Sequence, residues 1–163
     1  MAALCLAMAP PLAAQAPNRG PVANAAFVDA AGQTIGAAEL SESNEGVIVT
    51  ASLQPVPAGR YVMRVHVNGL CEGPDFASAG VPFNPFDRAA DRLNPLASPA
   101  GGASNITVGT DGAVRAATLL RDVTLRPGPA SLNRRSGTSL IVSERVGEGE
   151  GRRIACAVIA AGE

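Results

Sequence analysis

Residues 59–85 read GRYVMRVHVNGLCEGPDFASAGVPFNP, and a change of character part-way along this stretch decides how the chain is built. Up to Val67 it alternates. Tyr61, Met63, Val65 and Val67 fall on one face and Val62, Arg64 and His66 on the other, the period of a half-buried strand. After Asn68 the alternation stops and Gly, Pro, Asn and Ala take over as far as residue 104. A connection of that length inside a compact domain is uncommon, and is as a rule functional or pinned by a cross-link. The same stretch holds the one histidine of the chain, which strand period sets beside Arg64, and it brings Cys71 to the mouth of the loop.

Working outward, residues 46–53 (GVIVTASL) give a plain β signal, with Val47, Val49, Ala51 and Leu53 on one face and Pro55 and Pro57 ending the run. Upstream, residues 23–30 and 34–40 read as two strands joined by Ala31-Gly32-Gln33. Downstream, strands are expected over 105–109, 113–125 after the Asp111-Gly112 turn, 138–143 (TSLIVS) and 154–159, with loops over 127–137 and 144–151. No helical period stands out and there is no internal repeat. Short strands at even spacing with turn chemistry between them predict an all-β, antiparallel Greek-key barrel or sandwich.

Composition agrees. The chain has 163 residues, enough for one domain with a normal core, and its 18 Gly and 13 Pro suit strands and shaped loops better than a helical bundle. With no Trp and few aromatics, the core has to be Val, Ile, Leu and Ala. A net charge of −1 gives no electrostatic reason to expect nucleic acid or an anionic membrane. The first residues, MAALCLAMAPPLAAQA, are an apolar run too short to span a membrane and ending in the small-x-small pattern Ala14-Gln15-Ala16. They are expected to be a signal peptide over 1–16, ahead of a domain over 17–163, so the protein is expected to be exported, periplasmic or extracellular. Removing that segment removes Cys5 and leaves Cys71 and Cys156, an even count that in an exported protein argues for one disulfide.

Five segments, in order, resemble the copper/zinc superoxide dismutase family: DAAGQTIGAAEL (29–40), GVIVTASLQPVPAG (46–59), GLCEGPDFASAG with FNP (69–85), SLNRRSGTSLIV (131–142) and RRIACAVI (152–159). The resemblance implies an eight-stranded Greek-key β-barrel, a Cys71–Cys156 disulfide tying the long loop to the last strand, and Arg153 in the place of the arginine beside the copper. It also implies seven metal ligands, and here the match fails. The two histidines of the fourth strand fall on Arg64 and His66, the bridging histidine on Pro82, the two further zinc histidines on Ala90 and Pro99, the zinc aspartate on Gly102, and the last copper histidine on Ser143. One ligand of the seven is left. Copper and zinc need several N or S donors, so no cofactor is expected, and the permanently charged Arg64 stands where a cation would sit.

Expectations for single residues follow. His66 is expected to be a relic or an ordinary hydrogen-bonding surface histidine, and Arg153 to serve packing and salt bridging. Ser143, His66 and Asp75 have the residue types of a hydrolytic triad but lack a nucleophile elbow. Asn105-Ile106-Thr107 fits a glycosylation sequon, and Arg134-Arg135 reads as a solvated loop. The expected function is a non-catalytic binding or structural module, either a homodimer or a heterodimer with a related barrel. One alternative is a dismutase using copper alone or a site completed by another chain. A second is copper delivery by His66 with Met63, which strand alternation disfavours because it puts the two on opposite faces.

Overall fold

The computed structural model describes residues 20–87, 102–147 and 149–161. Eight strands are formed: β1 (Val22–Val28), β2 (Thr34–Ser43), β3 (Gly46–Leu53), β4 (Gly59–His66), β5 (Ala103–Val108), β6 (Val114–Arg121), β7 (Thr138–Val146) and β8 (Gly149–Ala161). All pairings are antiparallel. They make one sheet in the order β5-β4-β7-β8-β1-β2-β3-β6, and the two end strands approach each other, so the sheet curls into a nearly closed barrel. This is the expected Greek-key architecture.

The core is made by the alternation that the sequence displays. Val47, Val49, Ala51 and Leu53 of β3 and Tyr61, Met63 and Val65 of β4 all point inward, where they meet Phe27, Leu40, Leu140 and Val142 from neighbouring strands. Burying Leu, Val and Phe side chains of this kind stabilises the fold by about 1.5–3 kcal/mol each.

Two boundaries differ from expectation. Residues 144–151 were expected to be a loop, yet β7 and β8 continue through them as a hairpin, with Arg145 opposite Glu150 and Val146 opposite Gly149. Glycines on the β8 side weaken the sequence signal for a strand, but pairing with β7 supplies the missing preference. In the other direction, β6 stops at Arg121 instead of running to Leu125. Asp122 adopts a left-handed conformation, φ 59°, and the Glu42 carboxylate then accepts from Thr124 Oγ1 and the Leu125 amide, both at 2.6 Å. A side-chain carboxylate has replaced the strand partner.

Candidate functional site

The outward face of β4 is where the long loop returns to the barrel. β5 pairs with β4 only as far as Arg64, which leaves the end of β4 open on that side. Residues 81–83 fill the gap: Val67 N donates to Val81 O at 3.0 Å, Phe83 N donates to Val65 O at 2.8 Å, and Pro82 lies opposite His66 as an isolated bridge. Between them runs a short 3-10 turn, Ala77–Ala79, closed by Gly80 at φ 77°. A side chain at Gly80 would be strained by that conformation and would place its Cβ 2.9 Å from both Val67 Cγ2 and Asn68 Nδ2.

The loop is cross-linked to the last strand by the Cys71–Cys156 disulfide, with Cα atoms 5.6 Å apart. Cys156 is fully buried with Phe76, Ala79 and Ile141 in a small second core beneath the loop. Gly69 and Gly137 lie back to back beside it. A Cβ on Gly69 would come within 2.8 Å of Gly137 Cα, so the entry to the loop depends on both lacking side chains.

Arg153 and His66 converge on one carbonyl. Arg153 Nη1 donates to Phe76 O at 2.7 Å and Nη2 to Gly80 O at 3.1 Å, while His66 Nδ1 lies 2.9 Å from the same Gly80 O. A carbonyl only accepts, so Nδ1 carries the proton and Nε2 is left with its lone pair. That Nε2 is buried and has no hydrogen-bond partner among the described residues. Burial, the main cause, pushes the His66 pKa below the ordinary histidine value; Arg153 and Arg64 push it the same way, against the Gly80 carbonyl and Glu150. The side chain is 1% exposed, so the expected surface histidine is instead a buried one, because the loop covers it. Arg153 makes main-chain hydrogen bonds in place of the salt bridges expected for it.

Arg64 lies on the same face. Its Nε is 2.7 Å from Glu150 Oε1, with both side chains about a quarter exposed (24% and 26%). The N–H does not point along that line, which makes the contact a charge pair and leaves Nε without a formed hydrogen bond. Glu150 was missed in the sequence because its segment read as a loop; in the hairpin it faces back over β4. Ser143, in register with Val62 and Arg153 at the bulge of β7, is 1% exposed. Asp75 accepts from the Ala77 amide at 3.0 Å, and since His66 Nδ1 is spent on Gly80, no Ser-His-Asp relay exists. Met63 belongs to the barrel core and His66 to the opposite face, as alternation predicts. Arg134, expected to be simply solvated, sits over the Phe83 ring at 5.3 Å.

Residues 34–159 match the family model for copper/zinc superoxide dismutase (SODC). The chain belongs to the copper/zinc superoxide dismutase family. It is 35% identical over 147 residues to superoxide dismutase [Cu-Zn] 2 of Aquifex aeolicus, covering 84% of this chain and 85% of that one. To the superoxide dismutase-like protein YojM of Bacillus subtilis it is 31% identical over 164 residues, covering 88% and 83%. Among solved structures, a SOD-like protein from Bacillus subtilis superposes with a TM-score of 0.74 at 27% identity, covering 83% of this chain and 96% of that one. A double mutant of a SOD-like protein from the same organism, with one tyrosine and one proline each changed to histidine, gives 0.75 at 28% identity, covering 84% and 96%.

The residues present do not fit the metals of the superoxide dismutase family. Among the described residues no three His, Cys, Asp or Glu side chains come together as a ligand group, and Cys71 and Cys156 are tied up in their disulfide. The orphaned imidazole nitrogen shares its face with Arg64, which pairs with Glu150, and with Ser139, directly opposite His66 on β7, whose buried hydroxyl likewise has no partner among the described residues. Gly102, just before β5, has no side chain to offer. Ala90 and Pro99 lie outside the described residues, and neither residue type carries a donor.

Proposed function

We propose that the chain is an exported superoxide dismutase-like barrel that does not turn over superoxide and works as a binding or structural module, alone or paired with a related barrel. The observation that carries this reading is the Arg64–Glu150 pair beside the partnerless Nε2 of His66. A fixed positive charge next to the one remaining imidazole opposes a copper or zinc ion, and among the described residues no group of His, Cys, Asp or Glu supplies the second and third donors that either metal needs. In this reading Arg64, Pro82, Ala90, Pro99, Gly102 and Ser143 are the vacated ligand positions, His66 is the survivor, and Arg153 keeps its family place as a clamp on the loop.

The tyrosine and proline changed to histidine in the Bacillus subtilis double mutant are sixteen positions apart, the same spacing as His66 and Pro82 here, which supports reading Pro82 as a position where a histidine could stand. A copper site completed by another chain is the competing reading. It meets a steric obstacle: His66 is 1% exposed, so a donor from outside reaches Nε2 only if the loop 67–87 lifts.

The test is metal analysis of the purified mature protein after loading with copper and zinc, together with superoxide turnover. Metal well below one equivalent and no turnover above the buffer rate are expected. Stoichiometric copper with superoxide-dependent turnover would overturn the proposal. N-terminal sequencing of protein recovered from cell fractions tests export separately, the expected result being a mature chain beginning after Ala16 outside the cytoplasm.

A further inference from the structure

We propose that Asn68–Gly69 is a self-modification site that the closed loop holds unreactive. When the loop 67–87 lifts, Asn68 deamidates with water as co-reactant, and the product bars the loop from closing again. This goes beyond the reading above and stands whether or not the barrel holds a metal.

Asparagine followed by glycine is the dipeptide most prone to this reaction, because glycine has no side chain to shield its nitrogen and its backbone turns freely into the ring-closing geometry. The chain has one such pair, where β4 gives way to the loop. In the closed structure both reacting groups are occupied. The Gly69 nitrogen, which must attack, donates its N–H to Ser136 O at 3.1 Å. The Asn68 side-chain amide, which must be attacked, donates from Nδ2 to Ser78 O at 3.0 Å. Ser136 and Ser78 belong to different segments, so nitrogen and amide are drawn to separate partners. Gly69 is also wedged in place, since a Cβ on it would lie 2.8 Å from Gly137 Cα. Asn68 and Gly69 are only half-buried and water reaches them. The hydrogen bonds, not burial, withhold the reaction.

The reaction balances without oxidant or reductant. Gly69 N gives its proton to water and bonds to Asn68 Cγ, ammonia leaves, and a succinimide ring remains. Water then opens the ring. Cleavage of the new N–Cγ bond gives aspartate at 68. Cleavage of the original peptide bond gives isoaspartate, whose backbone runs through the side chain and is longer by a methylene. Neither product refits the closed loop. An ionised carboxylate has no proton to give Ser78 O, so two acceptors face each other where the hydrogen bond was. Isoaspartate inserts its methylene where Gly69 and Gly137 already touch. The site therefore records, irreversibly, that the loop has opened.

The test is peptide mapping by mass spectrometry of the full chain held at neutral pH, following conversion of Asn68 to aspartate and isoaspartate. Urea-unfolded protein sets the free rate. The native chain should react at least about a hundredfold more slowly, since only its open fraction is competent. Two perturbations loosen the loop: reduction of the disulfide, and Gly137→Ala, whose Cβ would lie 2.9 Å from Gly69 Cα. Each, with the barrel shown folded by circular dichroism, should raise the native rate at least about tenfold. Val49→Ala, in the barrel core away from the loop, lowers global stability and should leave the rate within about twofold of native. Asn68→Asp installs one product directly, and a glutamate-specific protease should then cut after exposed Glu72 at least about tenfold faster than in the native chain. A native chain that reacts as fast as the unfolded one overturns the proposal, as does a rate that neither loop perturbation raises or that Val49→Ala raises equally. An Asn68→Asp variant whose loop resists the protease as well as the native one overturns the claim that the product bars closure.

Discussion

Replacing both Cys71 and Cys156 by alanine isolates what holds the loop to the barrel. The bond joins residues 85 apart, and closing a loop of that size removes chain entropy worth about 4.5 kcal/mol at 25 °C in the unfolded state. Native packing adds little, because each substitution removes one sulfur; the volume vacated at fully buried Cys156 accounts for about 1 kcal/mol. The expected loss is therefore about 5 kcal/mol, against a total stability of about 5–15 kcal/mol for a domain of this kind. With a urea m-value of about 2 kcal/mol/M, the unfolding midpoint should fall by about 2–3 M. Far-UV circular dichroism and the fluorescence of Tyr61, the one tyrosine of a chain without tryptophan, follow the transition. Reduction of the native protein supplies the same comparison if the double variant does not fold. The decrease should be the same in EDTA and in added copper and zinc. A loss below about 1 kcal/mol, or one that appears only when metal is present, would refute the reasoning.

Two further predictions concern the residues around Gly80. The pKa of His66 is lowered by folding, so the unfolded chain takes up the proton more readily. Its contribution is complete above the unfolded value of about 6.5, declines as the pH falls below that, and is lost once the folded pKa is passed. Urea midpoints measured from pH 7.5 down to 5.5 should decrease in the native protein and stay flatter in His66→Gln; an equal decline in both would rule the histidine out as the cause. Gly80→Ala forces a side chain into φ 77° and against Val67 and Asn68, and should cost about 1–3 kcal/mol. Gly32→Ala is the control, since Gly32 has a similar φ of 78° with nothing within 4 Å; if the two variants lose the same stability, the contacts at Gly80 contribute nothing.

The barrel was legible because its strands obey a period that needs no tertiary knowledge. Val47 to Leu53 and Tyr61 to Val65 each announce an inward face, and the inward residues of both belong to the core. The reading failed where a partner from far away overrides the local pattern. Residues 144–151 have the composition of a turn, yet β7 holds them in register as far as Val146 and Gly149. Leu125 continues an apolar run, yet Glu42, 83 residues earlier in the chain, captures its amide. At the site, the resemblance located His66, Arg64 and Arg153 but not their partners. Glu150 lies in the misread hairpin, and the acceptor shared by His66 and Arg153 is a main-chain carbonyl, which no side-chain pattern can mark.

The geometry around Gly80 explains how a metal-site framework can persist without metal. The loop 67–87 has three fastenings to the barrel: the disulfide, the Arg153 and His66 hydrogen bonds to loop carbonyls, and the strand-like pairing of residues 81–83 with the end of β4. None of them uses a metal, so the loop stays fastened with Arg64, Pro82 and Ser143 in place. Pro82 suits its surroundings, since a proline has no N–H to leave unpaired at an isolated bridge. His66 is the informative case, because its two nitrogens pull in opposite directions. A buried Nε2 without a partner costs about 1–3 kcal/mol, whereas the Nδ1 hydrogen bond to Gly80 anchors the loop. Of the two, only the Nδ1 contact gives the fold a reason to retain an imidazole here, and it is the property that a glutamine at the same position can partly reproduce.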